Sequence, residues 1–255
     1  MQTTGNTILI TGGNSGIGQG LAAAFHGLGN TVIITGRNQA TLDKTVAAHA
    51  GMKGVVLDVS DGADITRVAA ELIQEYPALN AVIHNAGIMQ EEDLKTGETN
   101  TAEAHITTNL LGPIRLNSAL LPHLLKQPSA TVMTVSSGLA FVPLSLGPTY
   151  SATKAAIHSY TQAMRYQLAD TSVQVIELVP PYVQTTLQGE RQANDPHAMP
   201  LDGFIAETME ILTRQPDVKE VLVERVHPQR FAEKSGEYDA FFQRMNDMLV
   251  AARKG

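Results

Sequence analysis

The stretch that most restricts the fold is Thr11-Gly12-Gly13-Asn14-Ser15-Gly16-Ile17-Gly18, because of what stands on either side of it. The apolar run Ile8-Leu9-Ile10 leads into it, and Leu21, Ala22, Phe25 and Leu28 follow at helical spacing. The order is strand, glycine-rich turn, helix. Gly12 lets the chain leave the strand tightly, Gly16 lets the backbone approach a pyrophosphate, and Gly18 lets the helix lie close to the sheet. Amides at the helix start then face the anion, with Asn14, Ser15 and Ile17 in the same turn. The spacing is Gly-x-x-x-Gly-x-Gly rather than the Gly-x-Gly-x-x-Gly of the common dinucleotide fingerprint. A plain loop would account for one such glycine, not for the set.

The alternation continues along the chain. Thr31-Val32-Ile33-Ile34-Thr35 reads as a second buried strand and ends at Gly36-Arg37-Asn38, where a dinucleotide fold carries an acidic ribose ligand. No acid stands there. Gly36 leaves room and Arg37 offers a bidentate cation, which favours NADP(H) over NAD(H) unless Arg37 is simply a solvated surface residue. Strands follow at 54–58 and 81–84, with an amphipathic stretch through Leu42 and Val46 and a helix from Ile65 to Tyr76. Asp58 and Val59, at a strand's C-terminal end, are candidate contacts for an adenine ring. A helix N-cap at Ser60 or Asp61 is the competing local use of such residues. Alternating strands and helices imply a parallel sheet. His84 runs into Asn85-Ala86-Gly87, where small residues permit close cofactor approach; His84 itself reads as a packing residue.

A long helix is expected from Ala102 to Leu125, interrupted by Pro113. Proline cannot donate to the carbonyl four residues earlier, that of Asn109, so that carbonyl is expected to be free for a water. A fifth strand, 130–135, delivers Ser136-Ser137-Gly138 at its C-terminal end, where open α/β sheets bind ligands. Tyr150 and Lys154 then stand four residues apart on one helix face. At about 4 Å and an effective dielectric of about 20, the ammonium would favour the phenolate by roughly 4 kcal/mol, about 3 pKa units. The positive end of the helix dipole is expected to add to that shift. A sixth strand, 173–178, stops at Pro180-Pro181, and Tyr182-Val183-Gln184-Thr185 follows. The stretch 186–203 is polar and irregular and reads as a substrate-covering loop. Lys219 to Val223 is a last strand. A helical segment over about 228–252 carries the apolar stripe Tyr238, Phe241, Phe242, Met245 and Leu249, which suits a core or subunit contact.

Composition narrows the partners. A net charge of −7 over 255 residues argues against a phosphate-binding surface for nucleic acid. There is no cysteine, hence no disulfide framework and no thiolate metal site, and no metal is expected. No apolar run approaches the roughly 18 residues of a membrane span, and no signal segment is evident, so a cytoplasmic protein is expected. No linker or repeat divides the chain, and residues 1–255 read as a single domain.

With Gly12-x-x-x-Gly16-x-Gly18, Asn85-Ala86-Gly87, Asn109, Ser137 and Tyr150-x-x-x-Lys154 in this order, the chain resembles the short-chain dehydrogenase/reductase family from about Thr7 to Thr185. The segments 137–143, Val179-Pro180-Pro181 and Arg244-Met245-Asn246 look like its DltE-like bacterial oxidoreductase branch. Pro181, where many members have glycine, and His84, in place of the usual first asparagine, depart from the family pattern. The resemblance implies a Rossmann-type, doubly wound, mostly parallel seven-stranded α/β sheet with helices on both faces. It implies a nicotinamide cofactor, with Asn109, Ser137, Tyr150 and Lys154 as catalytic residues and Pro180, Val183 and Thr185 near the nicotinamide. Hydride would pass to or from a small or medium carbonyl or alcohol, with Ser137 holding the oxygen and Tyr150 as general acid or base. Lys154 would lower the phenol's pKa and hold the nicotinamide ribose, while Asn109 supports a water. Leu139, Phe141, Val142, Leu144 and Tyr182 flank the site as pocket wall or core. A homodimer or homotetramer is the family-level expectation. Two alternatives stay open: a non-catalytic NADP(H)-binding sensor, and a nucleotide-sugar epimerase or dehydratase, which usually has a longer C-terminal domain.

Overall fold

The computed structural model describes residues 1–254. Its strands in chain order are β1 (Thr7–Thr11), β2 (Thr31–Gly36), β3 (Lys53–Val56), β4 (Leu79–His84), β5 (Ala130–Val135), β6 (Val173–Val179) and β7 (Glu220–Leu222). They form one sheet in the order β3-β2-β1-β4-β5-β6-β7. Every pairing is parallel. The chain winds outward from β1 in one direction and then from β4 in the other, which leaves a crevice beyond the C-terminal ends of these two strands.

Strands β1, β2, β4, β5 and β6 are buried on both faces, as a parallel sheet flanked by helices requires, while the edge strand β3 is partly exposed. Alternate residues go to opposite sides. Ile8 and Ile10 join a cluster with Leu21 and Phe25 of α1 (Gly16–Gly27), while Leu9 faces the other side. That second cluster takes in Ile65, Val68 and Leu72 of α3 (Gly62–Glu75). The next helices are α4 (Asn100–His105) and α5 (Gly112–Leu124), and Leu116, Leu120 and Leu124 of α5 fill the same layer. The helix α6 (Pro148–Gln167) closes it with Met164. On the first face α2 (Gln39–Ala48) adds Leu42.

Three expectations are corrected. The helix carrying Asn109 is not a simple α-helix bent at Pro113: Ile106–Leu111 forms a π-turn between α4 and α5, and Pro113 sits in the first turn of α5. The backbone stays right-handed helical from the π-turn into α5, with the Gly112 amide donating to the Thr107 carbonyl five residues back, so the irregularity lies immediately upstream of the proline. Residues 186–203 are not wholly irregular. They contain α7 (Glu190–Ala193), and their last residues begin α8 (Leu201–Arg214), which buries Phe204, Ile205, Thr208 and Leu212. The C-terminal segment is three pieces, α9 (His227–Arg230), α10 (Ala232–Ser235) and α11 (Tyr238–Lys254). Its apolar stripe is only half-buried, and among the described side chains of α11 the buried one is Asn246.

Candidate active site

The C-terminal ends of β1, β4, β5 and β6 converge, and the sequence-selected residues collect there. In the glycine turn, Gly12 has φ +64° and Gly16 φ +50°, a region that a side chain disfavours. A Cβ at Gly18 would lie 2.3 Å from the Gly12 carbonyl and 2.4 Å from Asn85 Nδ2, so α1 can approach the turn only without one. Asn85 Nδ2 donates to the carbonyls of Thr11 (3.0 Å) and Gly12 (3.2 Å), and the amides of Asn85 and Ala86 donate to Thr11 Oγ1 at 3.0 Å each. The Asn85-Ala86-Gly87 turn is thereby tied to β1. Ser15, with Ile17 just inside the helix, is the N-cap of α1 and makes no side-chain cap, unlike Asn38 on α2 and Asp61 on α3. The first-turn amides of α1 are thus left for an anion, and this cradle fits a pyrophosphate.

At the end of β2, a Cβ on Gly36 would fall 2.5 Å from Asn14 Oδ1, and Asn14 Nδ2 donates to Thr41 Oγ1 at 2.7 Å. Arg37 is exposed, with no hydrogen bond or ion pair among the described residues. Asn38 accepts from the Thr41 amide. Asp58 Oδ1 accepts from the Ser60 amide (2.9 Å) and hydroxyl (2.7 Å), so the competing N-cap role falls to Asp61. Val59 is buried against the start of α5, where a Cβ on Gly112 would lie 2.6 Å from its carbonyl.

Asn109, Ser137, Tyr150 and Lys154 are all buried. Ser137 Oγ accepts from the Leu139 amide at 3.1 Å, and its hydroxyl is the hydrogen-bond partner of the Tyr150 phenol. Lys154 Nζ donates to the Val135 carbonyl at 2.8 Å and lies 5.6 Å from the centre of the Tyr150 ring. A Cβ at Gly87 would sit 3.2 Å from Asn109 Oδ1 and 3.8 Å from Lys154 Nζ. His84, Ala86, Asn109, Pro113 and Lys154 line a narrow recess beside them. The side chain of Asn109 is committed to the backbone of Ile88, accepting from its amide and donating to its carbonyl at 2.9 Å each.

The expected downward shift of Tyr150 is not what this arrangement yields. Burial pushes the phenol up to about 12, with the Ser137 hydroxyl acting in the opposite sense, and burial pulls Lys154 down to about 8. Spacing brings the ammonium near, but desolvation of the phenol opposes the phenolate directly and outweighs that neighbour. Nor is the helix start left positive: the Glu92 carboxylate accepts from the Thr149 amide at 3.0 Å. His84 fits its reading as a packing residue. It is buried, pulled down to about 4 by that burial, and its Nε2 has no partner among the described residues.

Beyond β6, the Pro180 carbonyl accepts from the Gly138 amide at 2.9 Å, and Thr185 sits beside Gly16. The side chain of Val183 is in the core. Gln192, which sequence reasoning missed, is buried within α7 and donates to the Val183 carbonyl (2.8 Å) and Thr185 Oγ1 (3.1 Å). Of the flanking apolar residues, Val142 and Leu144 are core, while Leu139, Phe141 and Tyr182 stay partly accessible. A second missed cluster holds Ser136, the residue before Ser137. Ser136 Oγ donates to Glu177 at 2.5 Å, and His158 Nδ1 lies 2.8 Å from the same carboxylate. His158, Glu177 and Glu220 bring ligand-type atoms within 4.8 Å of one another, but Arg230 already holds Glu220 at 2.8 and 3.0 Å, so this is an ion-pair network.

Comparison with known proteins is consistent with this geometry. The short chain dehydrogenase family profile matches residues 6–196. The uncharacterized oxidoreductase DltE of Bacillus subtilis (strain 168) is 40% identical over 251 residues, covering 96% of this chain and 98% of that protein. A short chain dehydrogenase/reductase from Burkholderia phymatum, solved with NAD, superposes with a TM-score of 0.79 at 21% identity over 93% of this chain and 96% of that one. A short-chain dehydrogenase from Sphingobium yanoikuyae, solved with NADPH, gives 0.78 at 22% identity over 93% and 95%.

Proposed function

The chain belongs to the short-chain dehydrogenase/reductase family, and from that premise we propose that it moves a hydride between NADP(H) and a small or medium carbonyl or alcohol, with Tyr150 as the general acid or base. The observation that carries this reading is the meeting of a buried phenol, the serine hydroxyl hydrogen-bonded to it and a buried lysine beside the uncapped start of α1. The nicotinamide would supply the hydride. Tyr150 is protonated at neutral pH and gives its proton to the carbonyl oxygen in the reduction direction. Ser137 donates a hydrogen bond to that oxygen and offsets its developing negative charge. Lys154 would hold the ribose and, brought down to about 8 by burial, could pass a replacement proton toward the phenol. Asn109 holds the segment after β4 in place through Ile88.

The family's solved members include NAD and NADPH complexes, so the preference rests on this chain's own residues. Arg37 stands exposed and unengaged beside Gly36, with no carboxylate at the end of β2 to repel a phosphate. The amides of the glycine turn, with Asn14, would hold the pyrophosphate, and Asp58 and Val59 would lie toward the adenine. Gly87, Pro180, Val183 and Thr185 would border the nicotinamide, and residues 186–200 would cover the substrate. Absorbance at 340 nm with a panel of carbonyls tests the proposal. The expected result is NADPH oxidation with a kcat/KM at least tenfold above that for NADH, and an Arg37→Ala variant that loses about tenfold for NADPH alone, the worth of one charge-assisted contact. NADPH binding without turnover of any carbonyl would instead support a sensor, and an NADH preference would remove the role given to Arg37.

A further inference from the structure

The first turn of α6, which carries Tyr150, is held from outside by a carboxylate. Glu92 accepts from the Thr149 amide through Oε1 (3.0 Å) and from the Thr149 hydroxyl through Oε2 (2.7 Å). Its own amide donates to the Leu146 carbonyl at 3.1 Å. The N-cap residue of α6 is Gly147, which has no side chain to offer, so Glu92 supplies at long range what Asn38 and Asp61 supply locally to α2 and α3.

The segment around Glu92 is pinned at alternate residues. Ile88 is bound by Asn109, the Gln90 amide donates to His105 Nε2 at 3.0 Å, and Glu92 reaches α6. His105 and Asn109 are four residues apart and present one face to this segment. Because Nε2 of His105 accepts, its ring proton belongs on Nδ1. That nitrogen lies 3.3 Å from Glu92 Oε1, within ion-pair reach though off the line of a hydrogen bond. The His105 side chain is 0% exposed, and its ring meets the Tyr150 ring edge-on, with centroids 6.1 Å apart and planes at 71°. The phenol is thus touched by a side chain that is itself fixed to the segment capping the phenol's helix.

We propose that Glu92 and His105 are positioning residues for Tyr150: Glu92 fixes the first turn of α6, and His105, set between Glu92 and the phenol, fixes the ring. The proposal rests on the reading of Tyr150 as the proton-transfer group. Proton transfer needs the phenol within hydrogen-bond reach of the reacting oxygen, so loosening this support lowers kcat. Cofactor affinity is spared, because the glycine turn and Arg37 belong to β1, α1 and β2, and Lys154, further along α6, is anchored separately by the Val135 carbonyl. Glu92 acts through its oxygens as acceptors. Oε1 faces both the Thr149 amide and His105 Nδ1, and a glutamine oxygen can do the same.

The test compares wild type, Glu92→Ala, Glu92→Gln and Thr149→Ala. For each, kcat and KM are measured for NADPH with the best carbonyl of the panel, NADPH affinity by fluorescence, and Tm. Glu92→Ala is expected to lower kcat about 10- to 100-fold with NADPH affinity within about twofold, and Glu92→Gln to recover at least about tenfold of that loss. Thr149→Ala removes one hydroxyl contact, is expected to lower kcat about threefold, and keeps the test readable if Glu92→Ala does not fold. Unchanged kcat in Glu92→Ala or in Thr149→Ala, or equal losses in the alanine and glutamine variants, overturns the proposal. Tyr150→Phe run alongside separates the two claims. If it still turns over, the reading of Tyr150 fails; if it is inactive while Glu92→Ala is fully active, only the positioning claim fails.

Discussion

Lys154 is 5% exposed, and a carbonyl rather than a carboxylate receives its ammonium. Spacing on a helix announced that Lys154 and Tyr150 would be neighbours, which they are, but burial is a tertiary property that spacing does not carry. Hence the Coulomb argument from sequence had the wrong sign for the phenol. The lowered pKa of Lys154 has a consequence for stability. An amine that titrates near 10.5 unfolded and near 8 folded contributes stability that is present above the unfolded value and lost as pH falls through the folded one, by about 3 kcal/mol. Tyr150 shifts in the opposite sense, its contribution being lost only as pH rises from about 10 through about 12. A Lys154→Met variant should therefore melt above wild type at pH 7, and the gap in Tm should shrink steadily toward pH 10. A gap that widens with pH would show that burial does not dominate at Lys154.

Among the elements, the glycine turn and α1 were the most legible, because Gly12, Gly16 and Gly18 each meet a local demand that only glycine satisfies. The Gly18 contact is with the backbone of Gly12, so it cannot be relieved by a rotamer change. Gly18→Ala should cost about 1–3 kcal/mol of stability, as overpacking does, and weaken NADPH binding at least tenfold, measured by thermal melting and fluorescence titration. Wild-type affinity in that variant would mean that the turn does not form the cofactor cradle. Other elements were hidden for identifiable reasons. Proline in 186–203 masked α7 and the start of α8, although Phe204, Thr208 and Leu212 stand at helical spacing. Pro113 drew attention from the π-turn that immediately precedes it. Such π-turns recur at functional sites, and this one carries Asn109.

At the scale of the molecule, the strand–helix alternation was enough to foresee a parallel sheet, and the strands from β1 to β6 fall close to where apolar runs stand in the sequence. What the sequence did not disclose is how distant parts brace the site. Asn246 of α11 accepts from the Ser145 amide at 2.6 Å and donates to the Pro143 carbonyl at 3.2 Å, more than 100 residues away in the chain. It holds the excursion that runs between Ser137 and Tyr150. Gln192 braces Val183 and Thr185, and Glu177 with His158 braces Ser136. None of these polar residues has a spacing signature, since each finds its partner only after the sheet has formed. No helix among the described residues is long and apolar enough to cross a membrane. These supports hold the segments around the proposed site, so the most direct measurement pairs kcat with NADPH affinity in wild type and Tyr150→Phe. The expected result is at least about a 100-fold fall in kcat, the scale of general acid–base catalysis, with NADPH affinity within about twofold. Turnover that survives the loss of the hydroxyl, or a parallel fall in turnover and binding, would contradict it.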